Sequence, residues 1–288
     1  MRILVYGAGV LGCELAHALI QNKKNVVTLL ARGEWKEMID QKGLTIRHWV
    51  QRKTTVDRVQ TIDTLAPDDC YDLVFVVMQA GQLPQVLPIL KENKSSYFVF
   101  VGNDPQAKQV LEAMQRPADK VAFGFQNTAG REHDRVVSVY ASAGMTVGGA
   151  TAPLSGAFRT RLKTAFDGVK YRLSFYGDMD EWLKCHAAFI LPICYVCYAC
   201  NGDLRRATKQ QRGAILDAAY EACLRNAQGH RHPGERCRQH RELQAWHRGP
   251  PPDGSHALCH GQNAAGPSVR FRPCDARRGR DALPGRCL

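Results

Sequence analysis

Short apolar runs alternate with helix-patterned segments over the first half of the chain, the rhythm of repeated βαβ units around a parallel sheet. Arg2–Tyr6 reads as the first strand, and Cys13–Gln21 as a helix with Leu15, Ala16, Leu19 and Ile20 along one stripe. Val26–Leu30 is the second strand. The runs Asp72–Met78 and Tyr97–Val101 are apolar without alternation, as expected of strands covered on both faces. Val121–Phe125 and Val136–Tyr140 predict further strands, the last near the edge of the sheet. From Pro153 onward the pattern turns helical. Asp180–Ala199 predicts a long helix interrupted or kinked at Pro192, because proline lacks an N–H and crowds the preceding turn. Gly213–Gln228 is amphipathic, with Ile215, Leu216, Ala219, Ala222 and Cys223 inward. The expected fold class is α/β: a doubly wound N-terminal sheet domain over 1–152, then an incomplete all-helical domain over 153–225.

The pattern breaks down near Asn226. Residues 226–288 hold five Ile, Leu, Val or Met residues against seven Pro, and six of the ten His of the chain. Too little apolar surface is present there to offset the entropy of ordering, so the segment is expected to be disordered. It reads either as a basic tail or as a stretch translated out of frame.

Charge sharpens that division. The net charge is +12, but 226–288 carries eleven Arg, no Lys and five acidic residues, so half of the excess lies there. An Arg-rich segment attracts phosphate without selecting sequence, so no specific nucleic-acid partner is expected. The apolar fraction of 44% is ordinary for a globular chain. No uninterrupted apolar run reaches the roughly 18 residues of a membrane span, so no membrane association is expected. The N-terminus enters a strand directly and lacks a cleavage motif, which predicts a cytoplasmic protein whose eleven cysteines are reduced.

Candidate chemistry begins at the first strand–helix junction. Gly7-Ala8-Gly9-Val10-Leu11-Gly12 is a GxGxxG sequence placed after a strand and before a helix, which is the context that makes the motif specific. Gly7 allows the tight turn, Gly9 lets the backbone approach a pyrophosphate, and Gly12 permits close helix–strand packing. The helix N-terminus supplies the anion site. A merely glycine-rich turn is the alternative. At the end of the second strand, an NAD-specific site usually carries an Asp or Glu for the ribose hydroxyls. Here the sequence is Leu29-Leu30-Ala31-Arg32-Gly33. Arg32 can hold a 2′-phosphate through its forked guanidinium, and the expected cofactor is NADP(H). Glu34, just beyond, is the feature that argues against this choice.

From these residues the chain resembles the ketopantoate reductase (2-dehydropantoate 2-reductase) family. The resemblance covers about residues 1–225 and rests on landmarks in order. They are the GAGVLG loop, Arg32, the stretch Val77-Met78-Gln79-Ala80-Gly81-Gln82, the turn Val101-Gly102-Asn103-Asp104, and Glu181-Trp182-Leu183-Lys184 at a helix start. It implies a Rossmann domain followed by a helical domain, a small-molecule carbonyl substrate, and hydride transfer from NADPH to a 2-keto carbon. It also implies Lys184 as the acid that protonates the forming alkoxide, a role for which the chemistry requires a donor within hydrogen-bond reach. Asn103 is carried over as a residue orienting the nicotinamide or the substrate carbonyl, with a turn-forming Asn as the alternative. Gln82 is a weaker candidate on the cofactor side. A homodimer is compatible with the resemblance.

The departures from the family concern the substrate. Gln79 stands where the family has a Lys, and Ala188 and Pro192 stand four and eight positions after Lys184, where the family has Asn. Amide groups that would grip a ketopantoate-like substrate are therefore absent from that helix face. The family's late Ser and acidic residues have no counterpart in the tail. A different carbonyl substrate, or a non-catalytic dinucleotide-binding remnant, is the competing expectation. Cys194, Cys197 and Cys200 are spaced like metal ligands but sit on an apolar helix face, which suits packing. The His and Cys residues of the tail lack paired knuckles, and no metal site is predicted.

Overall fold

The computed structural model describes residues 1–126, 129–132, 135–138, 143–202, 206–215, 217 and 221. The tail 226–288 and most of Gly213–Gln228 lie outside them. By contacts the chain divides into two compact units, Met1–Lys184 and Cys185–Leu288. The sequence pattern places this boundary at 152.

The first unit is built on an eight-stranded sheet. In chain order its elements are β1 (Arg2–Tyr6), α1 (Val10–Gln21), β2 (Val26–Leu30), α2 (Gly33–Lys42), β3 (Leu44–His48), β4 (Lys53–Asp57), β5 (Gln60–Ile62) and β6 (Leu73–Val77). There follow α3 (Leu83–Glu92), β7 (Phe98–Val101), α4 (Ala107–Met114), β8 (Val121–Gln126), β9 (Ala129–Glu132) and β10 (Arg135–Ser138). β11 (Ala143–Gly148), α5 (Gly156–Ala165), β12 (Tyr171–Tyr176) and α6 (Met179–Ala199) come next. The main sheet runs β12-β11-β8-β7-β6-β1-β2-β5. Its strands from β8 to β5 are parallel, and β11 turns antiparallel to β8.

Continuous apolar strands produce two cores. In β1, Ile3 and Val5 belong to one core while Leu4 and Tyr6 belong to the other, and Phe75 and Val76 of β6 divide in the same way. One core takes in α1 and α5, the other α3 and α4. Because side chains alternate across a strand, covering both faces demands apolar residues at every position.

Two elements depart from the sequence pattern. β10 is not an edge of the main sheet: it belongs to a separate four-stranded sheet, β4-β3-β10-β9. That sheet packs on α1, which explains why Gly12, Cys13, Glu14, Leu15, Ala16, Ala18 and Leu19 are all buried, far more than one stripe. β12, in a region that reads as helical, joins the main sheet alongside β11. Its residues Tyr171–Tyr176 pair in register with Ala143–Gly148, a long-range match that no local pattern announces.

The second unit begins within α6, and the helix continues unbroken through Pro192. Helical backbone also covers residues 209–215, where Ile215 is buried. Cys200 is buried, Cys194 and Cys197 are half-buried, and the three are thiols with no metal-ligand cluster among the described residues. By length and composition α6 could cross a membrane, its most apolar 18 residues having a mean hydropathy of 1.4. Asp180, Glu181, Lys184 and His186 near its start interrupt the apolar run.

Candidate active site

The glycine loop occupies the point where the sheet order reverses direction. β1 pairs with β2 on one side and with β6 on the other, and such a switch point opens a crevice at the carboxyl ends of the strands. Each glycine has a distinct steric reason. Gly7 sits at φ +120, and a Cβ there would lie 2.3 Å from the Val77 carbonyl oxygen. A Cβ on Gly12 would lie 1.8 Å from the Gly7 carbonyl oxygen. A Cβ on Gly9 would meet nothing within 4 Å, so this face of the loop is open.

That open face is the cradle a pyrophosphate requires. Gly9 is also the N-cap of α1, with no side-chain cap and no acidic residue in the first turn. The first N–H groups of Val10, Leu11 and Gly12 are therefore available to an anion, aided by the positive end of the helix. The residues present fit a dinucleotide. Arg32 is the N-cap of α2, exposed, with its Nε donating to the Asp63 carbonyl at 3.2 Å. Its terminal amino groups make no other bond among the described residues. Glu34 lies in the first turn of α2 and forms no ion pair with Arg32.

The other sequence candidates gather at the same edge of the sheet. Gly102 follows β7, and a Cβ on it would lie 2.8 Å from the Met78 carbonyl oxygen, so the ends of β6 and β7 are tightly apposed. Asn103 comes next and is exposed. The neighbouring turn is capped by Asp104, which accepts from the Gln106 N–H at 2.9 Å. Asn103 is thus not the residue that makes the turn. Gln82 ends a short 3-10 segment, Ala80–Gln82, and its Oε1 accepts from the Gln79 N–H at 3.3 Å, a local capping bond. A small apolar cavity lies among these strand ends, lined by Met78, Leu83, Phe100, Phe123 and Leu183 together with Asp104.

Lys184 lies on the second turn of α6, with its side chain about half exposed. Its ammonium donates to Asp180 Oδ2 at 2.7 Å. Asp180 is buried and also accepts from the Lys108 N–H at 3.2 Å, with the Lys108 ammonium at 3.4 Å. Burial alone would raise the Asp180 pKa. The Lys184 hydrogen bond, the Lys108 N–H and the two ammonium charges outweigh it and hold the carboxyl below its ordinary value. Asp104 shifts the other way: burial raises it, the Gln106 N–H opposes, and the Asp180 charge raises it further. Asp104 and Asp180 are thus electrostatic neighbours, which brings the Asn103 turn and the start of α6 to one place. The sequence reading missed Asp180, Lys108 and Asp104. The Asp180–Lys184 spacing of one helical turn was legible; the Lys108 contact, 72 residues away from Asp180, was not.

Residues 3–151 match the family model described as ketopantoate reductase PanE/ApbA. The solved 2-dehydropantoate 2-reductase from Geobacter metallireducens GS-15 is 19% identical, with TM-score 0.66, over 85% of this chain and 83% of that one. The enzyme of the same name from Methylococcus capsulatus gives 18% identity and TM-score 0.64, over 85% and 79%. A D-mandelate dehydrogenase solved with NADH and anilino(oxo)acetate gives 19% identity and TM-score 0.62, over 77% and 72%. No curated protein matches in sequence. With a family model spanning half of its length and a glycine cradle formed as a dinucleotide requires, the chain belongs to the ketopantoate reductase family of NAD(P)-dependent oxidoreductases.

Proposed function

We propose that the chain is an NADPH-dependent reductase of a 2-keto acid or related carbonyl, with Lys184 as general acid. The observation that carries the reading is the ammonium of Lys184, half exposed and held 2.7 Å from a buried carboxylate that neighbours Asp104, just past the end of β7. The dinucleotide, when bound, supplies the hydride. The glycine loop binds its pyrophosphate through the first N–H groups of α1, and Arg32 takes the 2′-phosphate of NADPH. Lys184 Nζ gives a proton to the oxygen that gains negative charge, becomes a neutral amine, and recovers its proton from solvent. Asn103, exposed and not engaged in its turn, orients the carbonyl or the carboxamide of the cofactor. Ala188 and Pro192 stand in the sequence where the family has Asn, which favours a 2-keto acid other than ketopantoate.

The test is a panel of 2-keto acids, ketopantoate included, followed by loss of NADPH absorbance. Lys184→Ala should abolish turnover, about 100-fold or more for the loss of a positioned acid, while NADPH still quenches protein fluorescence with unchanged affinity. Turnover surviving in that variant removes Lys184 from the reaction. A chain that binds NADPH yet reduces none of the panel supports instead a dinucleotide-binding remnant.

A further inference from the structure

A buried carboxylate is costly to keep unless cations and donors meet it. Asp180 is 2% exposed, and it is over-provided: Lys184 Nζ at 2.7 Å, Lys108 Nζ at 3.4 Å and the Lys108 backbone N–H at 3.2 Å. One cation would neutralise it. The two lysines reach it from different places, Lys184 from the next turn of α6 and Lys108 from the first turn of α4. The other carboxylate nearby, Asp104, makes no ion pair among the described residues and spends its Oδ1 on the Gln106 N–H.

For an acid held in this way the difficulty is electrostatic. Once it has given its proton to a developing alkoxide, Lys184 is a neutral amine, and a buried carboxylate has lost its closest charge partner. That loss would oppose the transfer by the penalty of an unpaired buried charge. A second cation already within 3.4 Å, anchored by its own backbone N–H to the other carboxylate oxygen, removes most of the penalty. We propose that Asp180 is the positioning residue for Lys184, and that Lys108 keeps Asp180 paired when Lys184 gives up its proton. Asp180 and Lys108 touch neither substrate nor cofactor in this scheme. The inference rests on the reading of Lys184 as acid, but the ion-pair arrangement it asserts can be measured without turnover.

The experiment is trace acetylation of the full-length chain by acetic anhydride, read lysine by lysine by mass spectrometry, with exposed Lys91 as internal standard. Asp180→Asn frees the Lys184 amine, and its labelling relative to Lys91 should rise about three- to tenfold, the scale of one charge-assisted hydrogen bond in a half-exposed pair. Lys108→Ala leaves Lys184 as the sole cation on Asp180, and its labelling should fall about twofold or more for the same reason. Labelling of Lys184 unchanged in Asp180→Asn overturns the positioning role, and unchanged in Lys108→Ala overturns the sharing. If Asp180→Asn fails to fold, Lys184→Met gives the reciprocal reading: Lys108 should label more slowly, and an unchanged rate counts against the proposal. On whichever 2-keto acid the chain reduces, Asp180→Asn should lower kcat with little change in KM, whereas Asp180→Glu restores part of it; a purely structural role would not separate the two variants. Loss of the acid reading has a different signature, since turnover by Lys184→Ala would remove that role and leave the labelling pattern intact.

Discussion

Glu14 is a residue whose burial has an energetic consequence. It sits in α1 between the two sheets, 3% exposed, with one carboxyl oxygen accepting from Ser138 Oγ at 2.6 Å. The other oxygen has no partner among the described residues, and neither do the buried Gln126 Oε1 and Tyr171 hydroxyl. Burial, the largest cause, raises the Glu14 pKa, opposed by the Ser138 hydrogen bond, the nearby Gln126 amide and the His17 charge. A group with a raised folded pKa contributes most below its unfolded value, and that contribution is lost as pH climbs through the folded value. Glu14 therefore weakens the fold progressively above the ordinary Glu value of 4.5. Glu14→Gln keeps an oxygen for Ser138 and adds an N–H that can meet Gln126 Oε1. At neutral pH it should stabilise the protein by about 1–3 kcal/mol, the cost of an unsatisfied buried polar group. The gain should vanish near pH 4, so a thermal melt series across pH with a constant difference would refute it. Arg32 is the other residue that decides something alone. Arg32→Ala should cut NADPH affinity about 10- to 100-fold, the scale of charge-assisted bonds to a phosphate, and leave NADH affinity unchanged. Equal affinity for the two cofactors in the intact chain would exclude Arg32 as the reader of the 2′-phosphate.

At the scale of elements, the strand–loop–helix from Arg2 to Gln21 separates two kinds of glycine. Gly9 has φ −69, which any residue adopts, and a Cβ on it meets nothing within 4 Å. Gly9→Ala should fold with Tm unchanged within a degree or two, yet bind dinucleotide at least about tenfold more weakly, because the methyl occupies the pyrophosphate's place. Gly12→Ala should instead lower Tm, since its Cβ would stand 1.8 Å from the Gly7 carbonyl oxygen and α1 must shift. Isothermal titration with NADPH alongside thermal melts distinguishes the two; matching behaviour in both assays would mean that the loop is not the cradle. This element was legible in the sequence because its signals are local: a strand, three glycines at fixed spacing and an amphipathic start. The four-stranded sheet β4-β3-β10-β9 was not legible. Val136–Ser138 reads as a strand, but its partner Ile46–His48 lies some ninety residues earlier, and strand pairing carries no mark in local periodicity.

For the whole molecule, burial predicts where stability concentrates. β1, β6 and β7 lie in the middle of the main sheet with apolar cores on both faces, whereas β5 is at its edge with no buried residue. Native-state hydrogen exchange should therefore find the amides of Ile3–Val5, Val74–Val76 and Val99–Phe100 opening only with global unfolding, and those of Gln60–Ile62 opening well before. Equal protection at β5 and β6 would contradict the two-core arrangement. The division of the chain is also a property of the whole. The sequence pattern stops looking like alternating strands and helices after 152, yet α5 and β12 still belong to the first unit, which extends to Lys184. Helical periodicity in α5 says nothing of which sheet it will cover.

By itself the sequence determined what depends on neighbours along the chain. That includes the α/β class, the GxGxxG loop with its helix and Arg32 at the end of β2. These follow from dihedral preferences and side-chain spacing, which act over a few residues. Only the tertiary structure decided the second sheet, the place of β12, the burial of Glu14 and the arrival of Lys108 at Asp180. Each of those joins segments far apart in sequence, and which distant segments meet is set by how two apolar faces are covered at once, a condition satisfied by the whole chain and by no stretch of it.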